Sequence, residues 1–545
     1  MLRRARRITV LAIGLTLAGV TAAAADTLVD NDRIGGSYTR YDGGTDATLQ
    51  GCSTGRRSQN EPTVAVDPRS SDVVVAGSND YCAEIGSGSG NQWPGYYRST
   101  NAGATWRSSL VPGYPGDTSP LGSQSPTKGS CASAGDPTQA FDGEGRLYYG
   151  FICFNRAKPT NGSIYVARYD DDGASYRFTT RVERGTPSVA GLFQDKINIT
   201  ADQNNGNVYV AWARFSGNLG NDVILFSRST DGGRTYSKPT RISDGGASEQ
   251  FADLAVGPDG AVYLTYRIYA GSQGPDSIAI VKSTNEGVSW TRPRTVATIT
   301  AFDSTDYGPG TCGDGPFRCP LLNYARFSSL SAVAADANGV HVAWNGRTAA
   351  GQSQVFARNS SDGLTWTGPI VRPAPAGAGH QFFPDIATDG TTLSVILQDS
   401  RADPAYSPDR PMGNTAAGTT SGAIVDAYLA RSANGLVWTP TLASTARSNP
   451  NYENRGSARS PFFGDYNYVS AAPDGSFFAV WTDTRDLVSA TDPRDGNQDE
   501  GFDADTRTCN WVPDDIFAAA YSSPLVSDPC LSQGGLDQNI YGAGG

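Results

Sequence analysis

The chain has 545 residues, yet it holds two methionines, two histidines and very few lysines. With only His341 and His380 present, and no Cys-x-x-Cys pair, a zinc cage of the usual ligand types is excluded. Long apolar runs are missing as well. The one candidate, Ile8 to Val20, is too short for a stable membrane span, and no later segment approaches its length. Positive charge is in deficit, with 43 Lys and Arg against 54 Asp and Glu. That balance argues against nucleic acid or an anionic membrane as partner.

The apolar run follows Arg3, Arg4, Arg6 and Arg7 and precedes Ala23-Ala-Ala25. A basic start, a short apolar stretch and small residues before a break predict a secretory signal peptide over 1–25, cut before Asp26. The expected product is an exported, soluble, monomeric protein with a net charge of 39 − 54 = −15. The eight cysteines are even in number, and an oxidising compartment favours disulfides. Nearest-neighbour pairing gives Cys52–Cys82, Cys131–Cys153, Cys312–Cys319 and Cys509–Cys530.

Two short elements recur along the chain. One is a polar turn closed by an aromatic, as in Ser229-Thr-Asp-Gly-Gly-Arg-Thr-Tyr236, Ser99-Thr-Asn-Ala-Gly-Ala-Thr-Trp106 and Ser283-Thr-Asn-Glu-Gly-Val-Ser-Trp290. Shorter forms stand at Ser361-Asp-Gly-Leu-Thr-Trp366 and Ala433-Asn-Gly-Leu-Val-Trp438, and a related one at Asp171 to Tyr176. Asp or Asn bonds the backbone of such a turn, Gly tolerates its positive φ, and the aromatic packs on a neighbour. The role is structural. The second element begins at Glu61-Pro-Thr, Asp136-Pro-Thr, Lys196-Ile-Asn, Phe251-Ala-Asp, Leu330-Ser-Ala, Phe383-Pro-Asp and Tyr466-Asn-Tyr. After each comes a Gly- or Asn-containing turn and a β-rich run such as Val208-Tyr-Val-Ala-Trp212, the pattern of a hairpin. Repetition on this scale predicts an all-β, seven-bladed (six as the lesser alternative) β-propeller of four-stranded antiparallel sheets over 58–545. The last unit has a third strand at Ile516–Tyr521 but no fourth. The segment 26–57, at Gly36-Ser-Tyr-Thr-Arg-Tyr41, is expected to supply the strand that closes the ring.

The turns resemble the Asp-box, or BNR repeat, of the sialidase (neuraminidase) superfamily, over about Glu61 to Tyr521. The early Arg-Ile-Pro motif of that superfamily has no counterpart on the first inner strand, which reads Asn60-Glu-Pro-Thr63. The resemblance implies a propeller that binds its ligand on the face opposite the turns. It also implies a glycosidase in which Tyr466, in Gly464-Asp-Tyr466, acts as the nucleophile; Tyr468 and Tyr81 are the other candidates.

At that face the second strands of five units end in Arg214, Arg267, Arg347, Arg401 and Arg485, with Asp399 and Asp483 beside the last two. Converging guanidinium groups would hold an acidic substrate; the bland alternative is that each pairs with an acid of a blade. The first strands start near Glu61, Asp136, Asp195, Asp253, Asp385 and Asp465, from which Glu61 and Asp385 are taken as general acid/base candidates. His380 is a candidate proton shuttle or a surface histidine, and His341 a structural one. The loop Asp492 to Glu500 is rich in the oxygen ligands that Ca2+ favours, though its spacing is no EF-hand; no other cofactor is expected. Together these features predict a secreted, sialidase-like glycoside hydrolase cleaving a terminal sugar from a glycan. The alternatives are a polysaccharide lyase acting on uronates and a non-catalytic carbohydrate-binding propeller.

Overall fold

The computed structural model describes residues 25–31, 37–53, 58–84, 92–155, 161–186, 192–216, 222–244, 246–270, 275–300, 329–375, 377–408, 412, 422–449, 463–486 and 538–545. The predicted signal peptide up to residue 24, Cys312, Cys319, Cys509, Cys530, the acidic loop from Asp492 and the run Ile516–Tyr521 lie outside the described residues.

What is described is almost entirely β, in antiparallel sheets of the kind a β-propeller stacks around an axis. Seven innermost strands follow one another: Gln59–Asp67, Ser133–Phe141, Leu192–Ala201, Ser248–Val256, Ser331–Asp336, Gln381–Thr388 and Tyr468–Ala471. Each neighbours the next, and the last neighbours the first, so the described strands close a ring. Five of the units carry four strands in chain order; the second and third of these units join through a single parallel bridge, Phe193 to Gly162. The fifth unit has three named strands, and the bridge between Ala357 and Val371 marks the place of its fourth.

The N-terminal segment supplies the outer strand that closes the ring, as expected, but at Thr27–Leu28 and not at Gly36–Tyr41. The seventh unit takes its third strand from Asn539–Gly544 and its outer strand from Thr27–Leu28, which pair with Gly542 and Tyr541. Two acids fix this closing strand: Asp30 accepts from the Ile540 amide at 2.7 Å, and Asp26 meets Arg485 at 2.7 Å. Tyr38, in the stretch expected to close the ring, instead bridges Ser108 of the first unit and donates its hydroxyl to Asp80 at 2.9 Å. A short helix, Ala47–Cys52, follows, capped by Asp46 and tied to the first unit by the Cys52–Cys82 disulfide. Cys131–Cys153 is the second disulfide, so both nearest-neighbour pairs among the described cysteines are formed.

The polar turns do what their sequence requires. In the third unit Ser229 Oγ donates to Asp231 at 2.8 Å and accepts from the Gly233 amide at 2.9 Å. Asp231 also accepts from the Thr235 amide at 3.0 Å. The closing aromatic packs on the preceding unit: Trp290 lies edge-on to Phe226 at 4.9 Å, and Trp106 to Phe478 at 5.4 Å. Glycine is needed where backbone meets that ring, since a Cβ at Gly103 would come within 2.1 Å of Phe478. Strand register settles the polarity of each sheet. Ser229, beside the turn, pairs with Val208, whereas Arg214 pairs with Val223 at the other end. The turns and the ends of the second strands thus lie at opposite edges of the sheet.

Candidate active site

One local feature of the inner strands aims side chains at the axis. Five of the strands break register in a β-bulge at the first residue of the repeated motif. There Glu61, Asp136, Lys196, Phe251 and Phe383 take left-handed backbone, with φ of 53°, 52°, 50°, 56° and 51°. An extra residue bends the strand and redirects one side chain away from simple alternation. Non-glycine residues in this region cost of order 1–3 kcal/mol each, so the surrounding sheet has to hold them there. Pro62, Pro137 and Pro384 follow three of the bulge residues, and a proline has no N–H to lose where the ladder is interrupted.

The bulge residues divide into a charged half and an apolar half. Lys196 sits among carboxylates: its Nζ bonds Asp465 and lies 3.6 Å from both Glu61 and Asp136. Asn79 orders this group, donating to Glu61 Oε2 at 2.7 Å and accepting the Asp136 amide at 2.9 Å. Burial pushes the Glu61 carboxyl well above its ordinary range, and Lys196 opposes that shift without cancelling it. Asp195 is pushed up to about 7 by burial and by the neighbouring acid Asp136. The surrounding anions keep Lys196 firmly protonated despite its burial. Across the axis, Phe251 and Phe383 pack with Leu330 and the ring of Tyr466.

These residues border an open cleft at the ring axis. Asp136, Lys196, Phe251, Asp385 and Tyr466 line it. Two positions further along each strand, a second tier ties the units together. Asp253 accepts from Asn198 at 2.7 Å and from the Val333 amide at 2.6 Å, and Asp385 accepts from the Val469 amide at 2.7 Å. Burial raises Asp253 to about 7 and Asp385 well above the ordinary carboxylate range.

Of the residues singled out by sequence, Tyr466 and Asp385 stand on the cleft wall, and Glu61 lies directly behind it, bound to Lys196. Tyr466 is 5.9 Å from Lys196 across its ring face and edge-on to Tyr468 at 5.5 Å. Burial, reinforced by Glu61 and Asp136, holds its hydroxyl well above the ordinary phenol value, which opposes the phenolate that a tyrosine nucleophile needs.

The arginines stand elsewhere. Arg267 is fully buried, paired with Asp276 at 2.5 Å and stacked on Tyr269 at 3.9 Å. Arg401 pairs with Asp399 at 2.6 Å and lies over Tyr428 at 4.1 Å. Arg485 is shared by Asp483 and Asp26, both at 2.7 Å, over Tyr541. Arg214 and Arg347 are half-buried at their strand ends. None of the five lines the described cleft. Asp399 and Asp483 are consumed as partners of these arginines and of Gln381 and Trp481.

His380 is buried, accepts the Ser353 amide on Nδ1 at 3.1 Å and lies edge-on to Tyr406. Burial and the nearby Arg347 depress it to about 3, so it is neutral at ordinary pH and away from the cleft. His341 bridges Asp336 and Asn359 inside the fifth unit. Among the described residues no group of three or more His, Cys, Asp and Glu is arranged to hold a metal ion.

Lys196 is the central residue that sequence reasoning passed over in favour of its neighbour Asp195. The signal was present, since Lys196 heads its copy of the motif as Glu61 and Asp136 head theirs.

No family model matches the chain, and no curated protein matches it. Solved structures of similar shape include the Hadza microbial sialidase Hz136, 12% identical, with a TM-score of 0.41 over 73% of this chain and 72% of that one. Penicillium chrysogenum alpha-L-arabinanase complexed with arabinobiose is 12% identical, with a TM-score of 0.42 over 70% and 94%. The leech intramolecular trans-sialidase is 12% identical, with a TM-score of 0.39 over 64% and 65%. At these values the similarity concerns overall shape, and the chemistry has to come from this chain's own side chains.

Proposed function

We propose that the protein is an exported glycoside hydrolase working in the axial cleft. The observation that carries this reading is a pair of carboxyl groups facing one cleft from units that are not neighbours in the ring, Asp136 and Asp385. Glycoside hydrolysis needs one carboxyl to protonate the leaving oxygen and a second to attack the sugar or activate water. Burial supplies the first requirement, because it raises the Asp385 carboxyl well above the ordinary carboxylate range. Asp385 is therefore the acid, and Asp136, beside the Lys196 ammonium, is the second carboxylate. Lys196, which contacts Glu61, Asp136 and Asp465, holds this group in place and is a positioning residue. Phe251 and Tyr466 offer flat walls for a sugar ring.

This assignment moves the chemistry from Tyr466 to carboxyl groups and the substrate from acidic to uncharged sugars, because three of the arginines are paired with acids and none of the five lines the cleft. A lyase is disfavoured by His380, which is neutral and remote from the cleft. The test is to incubate the protein with neutral and acidic glycans and measure reducing ends and unsaturated products. Release of reducing sugar from neutral glycans is expected, falling by about 100-fold or more in Asp136→Asn and Asp385→Asn. An unsaturated chromophore would establish a lyase instead, and binding without any product would leave a carbohydrate-binding propeller.

A further inference from the structure

Resting on the hydrolase reading of the same cleft, we infer that the reaction inverts the anomeric centre, with Asp136 acting as general base to a water molecule and not as nucleophile. Either role needs a carboxylate oxygen that is free to act. Asp136 Oδ2 is such an atom, since it is buried and receives no hydrogen bond, the Lys196 ammonium standing 3.6 Å away. The spacing of the two carboxyls chooses between the roles. A nucleophile stands about 5 Å from the acid, whereas a base leaves room for water at about 6.5–9.5 Å.

Three observations place the pair beyond the shorter spacing. Asp136 belongs to the second unit and Asp385 to the sixth, three steps apart in a ring of seven, the widest separation such a ring permits. Across the axis, Asp385 accepts the Val469 amide of the seventh unit at 2.7 Å. From that same unit, Tyr466 reaches Pro137 O, next to Asp136, only with its terminal hydroxyl, at 3.4 Å. The length of a phenol side chain therefore lies between the supports of the two groups. Along the axis, Asp136 stands at the bulge of its strand, and Asp385 stands two positions past the bulge at Phe383. Two positions are about 6–7 Å of strand rise. The lateral and axial offsets add, so the two carboxyls cannot close on one glycosidic bond from about 5 Å.

The step balances without a sugar bound to the enzyme. The Asp385 carboxyl gives its proton to the glycosidic oxygen as the bond from that oxygen to the anomeric carbon breaks, and the bonding pair leaves with the oxygen. Water attacks the anomeric carbon from the opposite face and forms the new C–O bond, while Asp136 takes a proton from it. The products are an alcohol and a sugar of opposite anomeric configuration. Solvent then removes the proton from Asp136 and returns one to Asp385.

The test uses the whole mature protein with cellotetraose and mannotetraose, which are β-linked, and maltotetraose, which is α-linked. Proton NMR, with enough enzyme to finish cleavage before mutarotation, reads the configuration of the new reducing end. The α anomer is expected first from the β-linked probes and the β anomer first from maltotetraose. A first product with the configuration of the cleaved bond overturns the inference and leaves the hydrolase. Intact mass spectrometry of acid-quenched mixtures should find no sugar attached to the protein, and added methanol should yield no methyl glycoside. An adduct on Asp136 or a methyl glycoside makes that residue the nucleophile instead. Cleavage of none of the three probes sinks the hydrolase reading and inversion with it.

Discussion

Burial beside Asp136 raises the Asp195 carboxyl from 3.8 to about 7, and this group is one of several buried acids that tie stability to pH. Its folded pKa lies above its unfolded one, so the folded state holds the proton more tightly. The contribution is fully present below the unfolded value and is lost as pH rises through about 7. The melting midpoint of the protein should therefore contain a component that falls between about pH 4 and pH 7. Thermal unfolding of Asp195→Asn, which cannot titrate there, should show a smaller fall over this range, the rest coming from acids such as Asp253; an identical pH profile would refute the shift. Arg267 makes the opposite kind of case. It is buried against the partly buried Asp276, so Arg267→Ala removes that carboxylate's partner and leaves a cavity, and should cost about 3 kcal/mol in denaturant unfolding. Retained stability with weakened glycan binding would instead return Arg267 to the ligand. The arginines were legible as a set at one level of the ring, but an acid two residues before Arg401 and Arg485 also stood in the sequence. Register on the strand end lets such a pair close on itself.

At the level of elements, the turn and the bulge differ in how openly the sequence states them. The turn is local: Ser229, Asp231, Gly233 and Thr235 satisfy one another within seven residues, so composition alone identifies it. Ser229→Ala removes the hydroxyl that serves Asp231 and the Gly233 amide, and should cost about 1 kcal/mol of stability. Turnover should not change, since the turn and the cleft lie at opposite edges of the sheet; parallel melting and activity measurements decide this. The bulge is not local. Its left-handed residue is Glu, Asp, Lys or Phe, none of which announces positive φ, and only pairing with the second strand reveals the break in register. That is why Lys196 was passed over while Asp195, its neighbour, was chosen.

Over the whole molecule, closure depends on contacts between the two ends of the chain. Thr27–Leu28 pairs with Asn539–Gly544, Asp30 meets the Ile540 amide, and Asp26 meets Arg485. A variant lacking residues 26–31 loses all three and should melt several degrees lower, with the largest loss of amide protection in the seventh unit by hydrogen exchange. Unchanged protection there would show that the outer strand contributes nothing. Nothing about residues 26–31 marks them over 36–41, because both are short and mixed. What distinguishes them is a partner more than 500 residues away.

The sequence by itself determined the sheets, the repeating unit, the polarity of each blade and the two described disulfides. Each follows from local spacing of apolar residues, turn formers and cysteines. The tertiary structure decided which residues share the axis, which strand closes the ring, and which charges cancel. Those outcomes depend on bulges and on pairings between distant units, and burial there converts ordinary acids into proton holders. A chain read one residue at a time carries the acids but not the surroundings that set their charge.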